Sequence, residues 1–153
     1  IKTVGVFVNE TLDNLVTIAK EVNLDAVQLH GDEDEAFIQA LKEKTDVEVW
    51  KAVQIRSSED AETWIDSSAD MLLFDAYHKD ERGGTGEVFD WSCLDEFERP
   101  FMLAGGIDST NVARAIRTVR PYGIDISSGI ETDGVKDDEK IKAFTNIVKY
   151  IGR

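Results

Sequence analysis

Two side chains capable of acid–base chemistry follow apolar runs in the sequence. His30 comes after residues 26–29 (AVQL), and Asp75 comes after residues 71–74 (MLLF). A carboxyl group at the end of a buried strand is partly desolvated, which raises its pKa and lets it arrive protonated near neutral pH. Asp75 is therefore a candidate general acid, and His30 a candidate acid, base or substrate donor. The alternatives are a histidine that only orders its loop and a carboxylate that only caps a helix or lies in a loop.

Three glycine-containing segments could bring backbone close to a ligand. Residues 83–86 (GGTG) lie in a long charged connection, whereas residues 103–108 (LAGGID) and 126–131 (ISSGIE) follow the last two apolar runs. In parallel α/β barrels, backbone N–H groups of the last two such loops often hold a phosphate. The alternatives are a lid without ligand contact for the first segment and turn glycines for the other two.

These groups must be positioned by an alternation of apolar runs and amphipathic stretches. Strands are predicted at residues 4–8, 26–29, 47–53, 71–74, 101–104 and 123–126. Between them, apolar stripes with a period near 3.6 residues begin at Leu12, Phe37, Val112 and Ile141, and candidate helix caps stand at 57–58, 108–109 and 137–138. This order predicts a parallel sheet with right-handed crossovers, either doubly wound or closed as a barrel.

The composition limits the partners. The chain has 153 residues and a formal net charge of −14, so we expect no nucleic acid and no membrane surface as a partner, although a small anionic ligand is not excluded. Cys93 is the single cysteine, predicted to be an inert, partly buried thiol in a short helical stretch. His30 and His78 lack spaced partners for a metal, and the acidic residues 31–35 (GDEDE) are interpreted as helix-starting carboxylates on a solvated face. The cytoplasm is the expected compartment.

At these loops the sequence resembles the phosphoribosylanthranilate isomerases, the (β/α)8 enzymes of tryptophan biosynthesis. The matching blocks, in the family's order, are residues 4–9 (VGVFVN), 24–33 (LDAVQLHGDE), 73–75 (LFD) with 83–91 (GGTGEVFDW), 101–114 (FMLAGGIDSTNVAR) and 123–136 (GIDISSGIETDGVK). The expected fold class is therefore α/β, a TIM-barrel-family fold with six of eight βα units, the third to eighth strands, as a single partial domain over residues 1–153.

The resemblance implies a function and a site. The reaction is an Amadori rearrangement of N-(5′-phosphoribosyl)anthranilate, a small phosphorylated substrate, without cofactor or metal. By motif, Asp75 is the general acid that opens the furanose ring, and His30 and Asp125 line the sugar and anthranilate side. Backbone N–H groups around Gly105, Gly106, Ser128 and Gly129 would bind the phosphate, with Gly84, Thr85 and Gly86 covering it.

The resemblance also names two groups that this sequence lacks. In the family, the general base is a Cys at the end of the first strand, and an Arg after the second strand binds the anthranilate carboxylate, whereas residues 4–8 correspond to the third strand. We therefore expect residues 1–153 alone to be nearly inactive, with open sheet edges that favour self-association or pairing with a segment that supplies the missing units. The alternative is a non-catalytic, self-associating partial barrel that at most binds phosphorylated ligands. Indole-glycerol-phosphate synthases and pentose-phosphate epimerases are less favoured, because their strand-end lysines and metal ligands are not found here.

Overall fold

A computed structural model describes residues 1–76 and 90–151, which fold as alternating strands and helices. The strands are β1 (Val4–Phe7), β2 (Ala26–Leu29), β3 (Glu48–Ile55), β4 (Met71–Ala76), β5 (Phe101–Ala104) and β6 (Gly123–Ile124), followed by a small pair, β7 (Glu131–Thr132) and β8 (Val135–Lys136). The helices are α1 (Leu12–Val22), α2 (Glu35–Lys44), α3 (Ser58–Glu62), α4 (Val112–Val119) and α5 (Asp138–Ile151). Short 3₁₀ helices cover Trp91–Leu94 and Ser128–Ile130.

Strands β1 to β6 form one sheet in which they follow each other in chain order, and every neighbouring pair is parallel. Since parallel neighbours need a crossover, helices α1, α2, α3 and α4 each lie between two consecutive strands of this sheet. Both the predicted strand order and the parallel pairing are confirmed. The carboxyl ends of all six strands therefore lie along one edge of the sheet, where the chemistry was expected.

One face of the sheet is covered by all five helices. The main core joins strand residues such as Val27, Leu72 and Leu103 to helix residues such as Leu15 and Val112 in a single buried cluster. Among residues 1–76 and 90–151, the opposite face carries only a small apolar cluster of Ala52, Leu73 and Ala104 with Met102 against it, and no helix residue belongs to it. Helices on one face alone are the arrangement of a barrel wall, whereas a doubly wound sheet has helices on both faces. The structure thus decides between the two folds that the alternation left open.

The β1 edge of the sheet exposes apolar side chains. On the face without helices, Val6 is 60% and Val8 is 63% exposed, and nearby α1 leaves Ile18 and Val22 exposed as well. A strand at the edge of a sheet also presents unpaired backbone groups on one side. The exposure of the β1 edge contrasts with the neighbouring strand β2, which is buried along its whole length.

Some boundaries differ from the sequence-based ones. Strand β6 ends at Ile124 rather than residue 126, although the Asp125 amide still donates to the Leu103 carbonyl, and the backbone is no longer extended at Ser127 (φ −121°, ψ −82°). Helix α4 starts after Asn111 rather than at residues 108–109, because the Asp108 carboxylate accepts from the amide (2.7 Å) and hydroxyl (2.6 Å) of Thr110 and closes a turn there. The expected caps before α3 and α5 are confirmed, since Ser57 precedes α3 and Asp137 accepts the Glu139 amide at 2.9 Å.

Candidate active site

The predicted acid and the predicted histidine lie on the same face of the sheet, the face without helices. Side chains alternate along a strand, and Leu73 and Ala52 define that face, so Asp75 and Gln54 share it two residues further on. The register pairs Gln54 with Asp75 and Asp75 with Ala104, placing these three in one row across β3, β4 and β5. A cavity of about 480 Å³ is lined by His30, Gln54 and Asp75 together, so the two predicted side chains share one cavity.

Asp125 comes directly after β6, the strand that neighbours β5 of that row. Its amide donates to the carbonyl of Leu103 at 2.8 Å, which continues the β5–β6 ladder by one residue and sets Asp125 opposite Ala104. The Asp125 side chain is exposed at the carboxyl ends of the strands, a region that we call the mouth of the sheet. It belongs to the same strand-end region as Asp75, two strands further along the sheet.

The backbone after β5 lies directly against the Asp75 carboxylate. Gly105 has φ +85°, and a Cβ atom there would clash with Asp75 Oδ1 and would come within 2.7 Å of the backbone of Ala76. Only glycine fits both the left-handed conformation and this close approach. The residue that begins the expected phosphate loop therefore touches the expected acid.

The two expected phosphate loops pack on each other through backbone. A Cβ at Gly129 would clash with the carbonyl oxygen of Ile107 and would lie 3.1 Å from Asp108 Cα, so the loop after β6 sits against the loop after β5. Asn111 Nδ2 donates to the Gly106 carbonyl at 2.7 Å and fixes the first loop from below. We call residues 105–111 and 125–130 the late loops. Within residues 1–76 and 90–151, the N–H group of Gly106 has no backbone acceptor.

A lysine supplies positive charge beside the late loops. Lys136, on the β7–β8 pair, donates from Nζ to the Ser127 carbonyl (2.8 Å) and hydroxyl (3.1 Å) and pairs with Glu131 at 2.5 Å. About half of the Lys136 side chain is exposed, at 49%. The turn of this pair uses Asp133 (φ 52°) and Gly134 (φ 77°), an Asp-Gly hairpin signal that sequence reasoning did not use.

The other side of the mouth is held by a buried ion pair that the sequence interpretation missed. The loops after β1 and β2, residues 8–11 and 30–34, are called the early loops here. Glu33 is 6% exposed and accepts from the amides of Asn9 (2.7 Å) and Gly31 (2.9 Å), so its interpretation as a solvated carboxylate is wrong. Lys51 of β3, 2% exposed, reaches the same carboxylate at 3.3 Å. The sequence signal was a lysine in an apolar strand run, at the parity of the buried Val49 and Ile55.

The charge on Glu33 is favoured in the folded protein. Burial acts to raise the pKa of Glu33, but the Asn9 amide and the Lys51 ammonium outweigh it, so the pKa lies below its ordinary value. Its neighbour Glu35 is bound by Ser67 Oγ at 2.7 Å and by the Ser68 amide at 2.9 Å. Against the opposing effect of burial, these hydrogen bonds lower the pKa of Glu35 to about 2. Only Asp32 and Asp34 of the acidic segment are exposed carboxylates, and Asp34 caps α2 by accepting the Phe37 amide.

The remaining predictions fall outside this geometry. Gly84, Thr85 and Gly86 lie outside the described residues. Cys93 lies in the 3₁₀ helix, half-buried, and burial with a smaller effect of the Asp90 carboxylate raises the pKa of its thiol. Within the described ranges, no group of three or more His, Cys, Asp or Glu side chains could hold a metal ion. No helix in residues 1–76 or 90–151 has the length and hydropathy to cross a bilayer.

The all-parallel sheet with helices on one face and the candidate site residues at its strand ends is a portion of a (β/α) barrel. The family model "N-(5'phosphoribosyl)anthranilate (PRA) isomerase" matches residues 1–147. The chain belongs to this family, whose members are isomerases of tryptophan biosynthesis, and the resemblance seen in the sequence is confirmed.

Curated relatives and solved structures agree with that family. An N-(5'-phosphoribosyl)anthranilate isomerase of Thermoanaerobacter sp. (strain X514) is 47% identical over 153 residues, covering 99% of this chain and 74% of the relative. The corresponding protein of Clostridium acetobutylicum is 45% identical over 148 residues, or 94% of this chain and 71% of the relative. The crystal structure of the Thermotoga maritima isomerase superposes with a TM-score of 0.84 at 37% identity, covering 98% of this chain and 74% of that one. Another solved isomerase is in complex with reduced 1-(o-carboxyphenylamino)-1-deoxyribulose 5-phosphate, at TM-score 0.81 and 34% identity, covering 98% of this chain and 72% of that one.

Proposed function

We propose that this chain provides the acid and phosphate-binding groups for the isomerisation of N-(5'-phosphoribosyl)anthranilate to 1-(o-carboxyphenylamino)-1-deoxyribulose 5-phosphate. The observation that carries the proposal is the contact of Gly105 with Asp75, because it joins the candidate acid to the loop pair that includes Gly129. A phosphate on the late loops and a sugar ring over Asp75 would then occupy one continuous surface. The proposal includes a cytoplasmic location, since a phosphorylated intermediate does not leave the compartment where it is made.

Asp75 donates the proton that opens the sugar ring. The carboxylic acid transfers its proton to the furanose ring oxygen, the C1′–O bond breaks, and the anilino nitrogen supplies the electron pair that forms a protonated imine. A base then removes the proton from C2′, which gives an enolamine that tautomerises to the ketone. No electrons enter or leave the substrate, because C1′ is reduced while C2′ is oxidised. General acid catalysis of this kind is worth about 10²–10⁴-fold.

The other site residues bind rather than transfer protons. The amides around Gly105, Gly106, Ser128 and Gly129 hold the phosphate as N–H donors, with Lys136 adding charge from the side. His30 and Asp125 line the sugar and anthranilate side, and the resemblance alone assigns Gly84, Thr85 and Gly86, which lie outside the described residues, to the phosphate. His30 is supported in this role by its place in the cavity that Asp75 also lines.

Residues 1–153 alone turn over substrate poorly in this proposal. The resemblance assigns the general base to a Cys of the first family strand and the carboxylate anchor to an Arg after the second, and neither is among these residues. The exposed Val6 and Val8 beside β1 favour pairing of this edge with two further βα units.

The test joins residues 1–153 to the first two βα units, about 50 residues, of the Thermoanaerobacter relative. We expect loss of substrate fluorescence with the joined protein and little with residues 1–153 alone. In parallel, isothermal titration measures binding of reduced 1-(o-carboxyphenylamino)-1-deoxyribulose 5-phosphate, hereafter the probe, to both proteins. An inactive joined protein that also fails to bind the probe would overturn the proposal.

A second candidate is a non-catalytic partial barrel that self-associates through its open edges. The same exposed Val6 and Val8 favour it, because two copies could pair edge to edge. Sedimentation of residues 1–153 distinguishes the two: a concentration-dependent dimer that a Val6→Lys variant abolishes supports self-association. A well-folded monomer over the whole concentration range contradicts it.

A further inference from the structure

The buried lysine of β3 holds the backbone on both sides of His30. Lys51 Nζ donates to the carbonyl of Gly31 at 2.6 Å and reaches that of Leu29 at 3.5 Å. These two residues precede and follow His30 in the chain. In the sheet register, Lys51 stands between Leu29 of β2 and Leu72 of β4, both fully buried, so a charged group occupies a row of apolar side chains.

An ammonium group in such a place is destabilising unless every proton has a partner. Besides the two carbonyls, Lys51 has the Glu33 carboxylate at 3.3 Å and the ring of Trp64 at 5.6 Å. Both charged side chains of the pair are almost fully buried, with 3% and 2% exposed. A lysine that served only packing would be replaced by an apolar residue at lower energetic cost, because well-packed apolar groups match or exceed buried ion pairs in stability.

Glu33 extends the same network to β1. Its carboxylate accepts the Asn9 amide at 2.7 Å, and Asn9 Oδ1 in turn accepts the Asp32 amide at 2.7 Å. The two early loops approach so closely that a Cβ at Gly31 would come within 2.8 Å of Asn9 N. The ion pair therefore connects the carboxyl ends of β1 and β2 to the middle of β3.

His30 itself depends on this backbone for its direction. The side chain is exposed at the cavity, and within residues 1–76 and 90–151 its imidazole makes no hydrogen bond. Its ring is therefore directed by the conformation of residues 29–31, whose carbonyls Lys51 binds.

We propose that Lys51 and Glu33 are positioning residues of this site, which fix the early loops and so hold His30 toward the substrate. This inference deepens the proposed function and rests on it. Both residues border the cavity that His30 lines, but their side chains are only 3% and 2% exposed, so we assign them to positioning and not to contact with the substrate. Their effect is on the affinity for the sugar and anthranilate end and on the rate, through the direction of His30.

The variants separate positioning from stability. Lys51→Met removes the donor to both carbonyls and leaves the Glu33 charge buried, whereas the double variant Lys51→Met/Glu33→Gln also removes that charge. Lys51→Arg keeps a cation with several donors. Lys42→Met is the matched control, because Lys42 also binds a carbonyl (Ser68, 2.9 Å) and a carboxylate (Asp70, 2.5 Å) but stands on α2 away from the cavity.

The first measurement needs no substrate. In a His78→Gln background His30 is the one histidine, and NMR follows its imidazole signals and the amide order parameter of Gly31. We expect an order parameter near 0.85 in the parent protein and below about 0.6 in Lys51→Met and in the double variant. Lys51→Arg restores part of the order, and Lys42→Met leaves it unchanged. A folded double variant with a rigid Gly31 and an unshifted His30 would overturn the inference.

The second measurement is probe affinity by titration. If the parent chain binds the probe, the double variant should bind it about tenfold more weakly, and Lys42→Met should not. Unchanged affinity in a folded double variant counts against the inference. If neither the parent chain nor the joined protein binds the probe and the joined protein is inactive, the proposed function fails, and the NMR result still decides whether Lys51 orders residues 29–31.

Discussion

The early loops and the late loops are each held together at the strand ends, but by different interactions. At the early loops, two buried charges bind backbone groups that follow β1 and β2: Lys51 donates to the Gly31 carbonyl, and Glu33 accepts the Asn9 amide. At the late loops, backbone packs on backbone where Gly129 meets Ile107, and the nearby Lys136–Glu131 pair is exposed. One side of the mouth therefore depends on side-chain charge, and the other depends on the absence of a side chain.

The largest expected effect lies between the two sides. Asp75→Asn, made in the joined protein, keeps the shape of the side chain but removes the proton donor. We expect a loss of kcat of about 10²–10⁴-fold, measured by substrate fluorescence, with probe affinity within a few-fold of the parent. A variant that retains its rate would remove Asp75 from the role of acid.

The two lysines test the difference between buried and exposed charge. Lys51→Met leaves a buried carboxylate without its cation and should lower the free energy of unfolding by about 3–5 kcal/mol. Lys136→Met breaks an exposed pair and should lower it by no more than about 1 kcal/mol. Urea unfolding monitored by circular dichroism measures both. Equal losses would remove the contrast between the early and late loops.

An added methyl group tests the close backbone packing of the late loops, just as the loss of a charge tests the ion pair of the early loops. Gly129→Ala should force the loops after β5 and β6 apart at a cost of about 1–3 kcal/mol in the free energy of unfolding. Probe affinity should fall by about tenfold, as a loss of roughly 1.4 kcal/mol would give. The control is Gly134→Ala, where φ is +77° but a Cβ would meet nothing within 4 Å. Should the control weaken the probe as much, close packing would not be the cause.

The smallest effect concerns Glu35, which follows the early loops at the start of α2. Its folded-state pKa of about 2 lies below the ordinary value of 4.5, so the unfolded chain binds more protons between these values. Glu35 therefore contributes stability above about pH 5 that is lost as the pH falls toward 2. Unfolding free energies of the parent and Glu35→Gln should differ most at neutral pH and converge near pH 2. A difference independent of pH would contradict the assignment.

Much of the fold could be predicted because each strand carries its own signal. Apolar runs such as residues 26–29 and the stripe beginning at Leu12 gave the order of strands and helices, and the order alone implied parallel pairing. The side of the sheet on which helices pack is a long-range property, and it became visible only in the shared core of Leu15 with Val112.

The site was predictable where position along a strand decides chemistry. Asp75 and His30 could be selected because each follows an apolar run, and both line the cavity. Glu33 was misjudged because local sequence places it among exposed acids, whereas its burial depends on Lys51, 18 residues further along the chain. A pattern read along the chain does not reveal a partner on the neighbouring strand.

The close approach of Gly105 to Asp75 fixes the distance between the late loops and the candidate acid. If the proposed roles hold, main-chain packing sets the distance between the phosphate-binding loop and the backbone of Asp75, and one short side chain carries the proton from there. In a sugar one carbon longer or shorter than a pentose, the ring oxygen would not lie at the carboxylic acid even when the phosphate is bound at the late loops. Selection by size would then follow from backbone geometry alone.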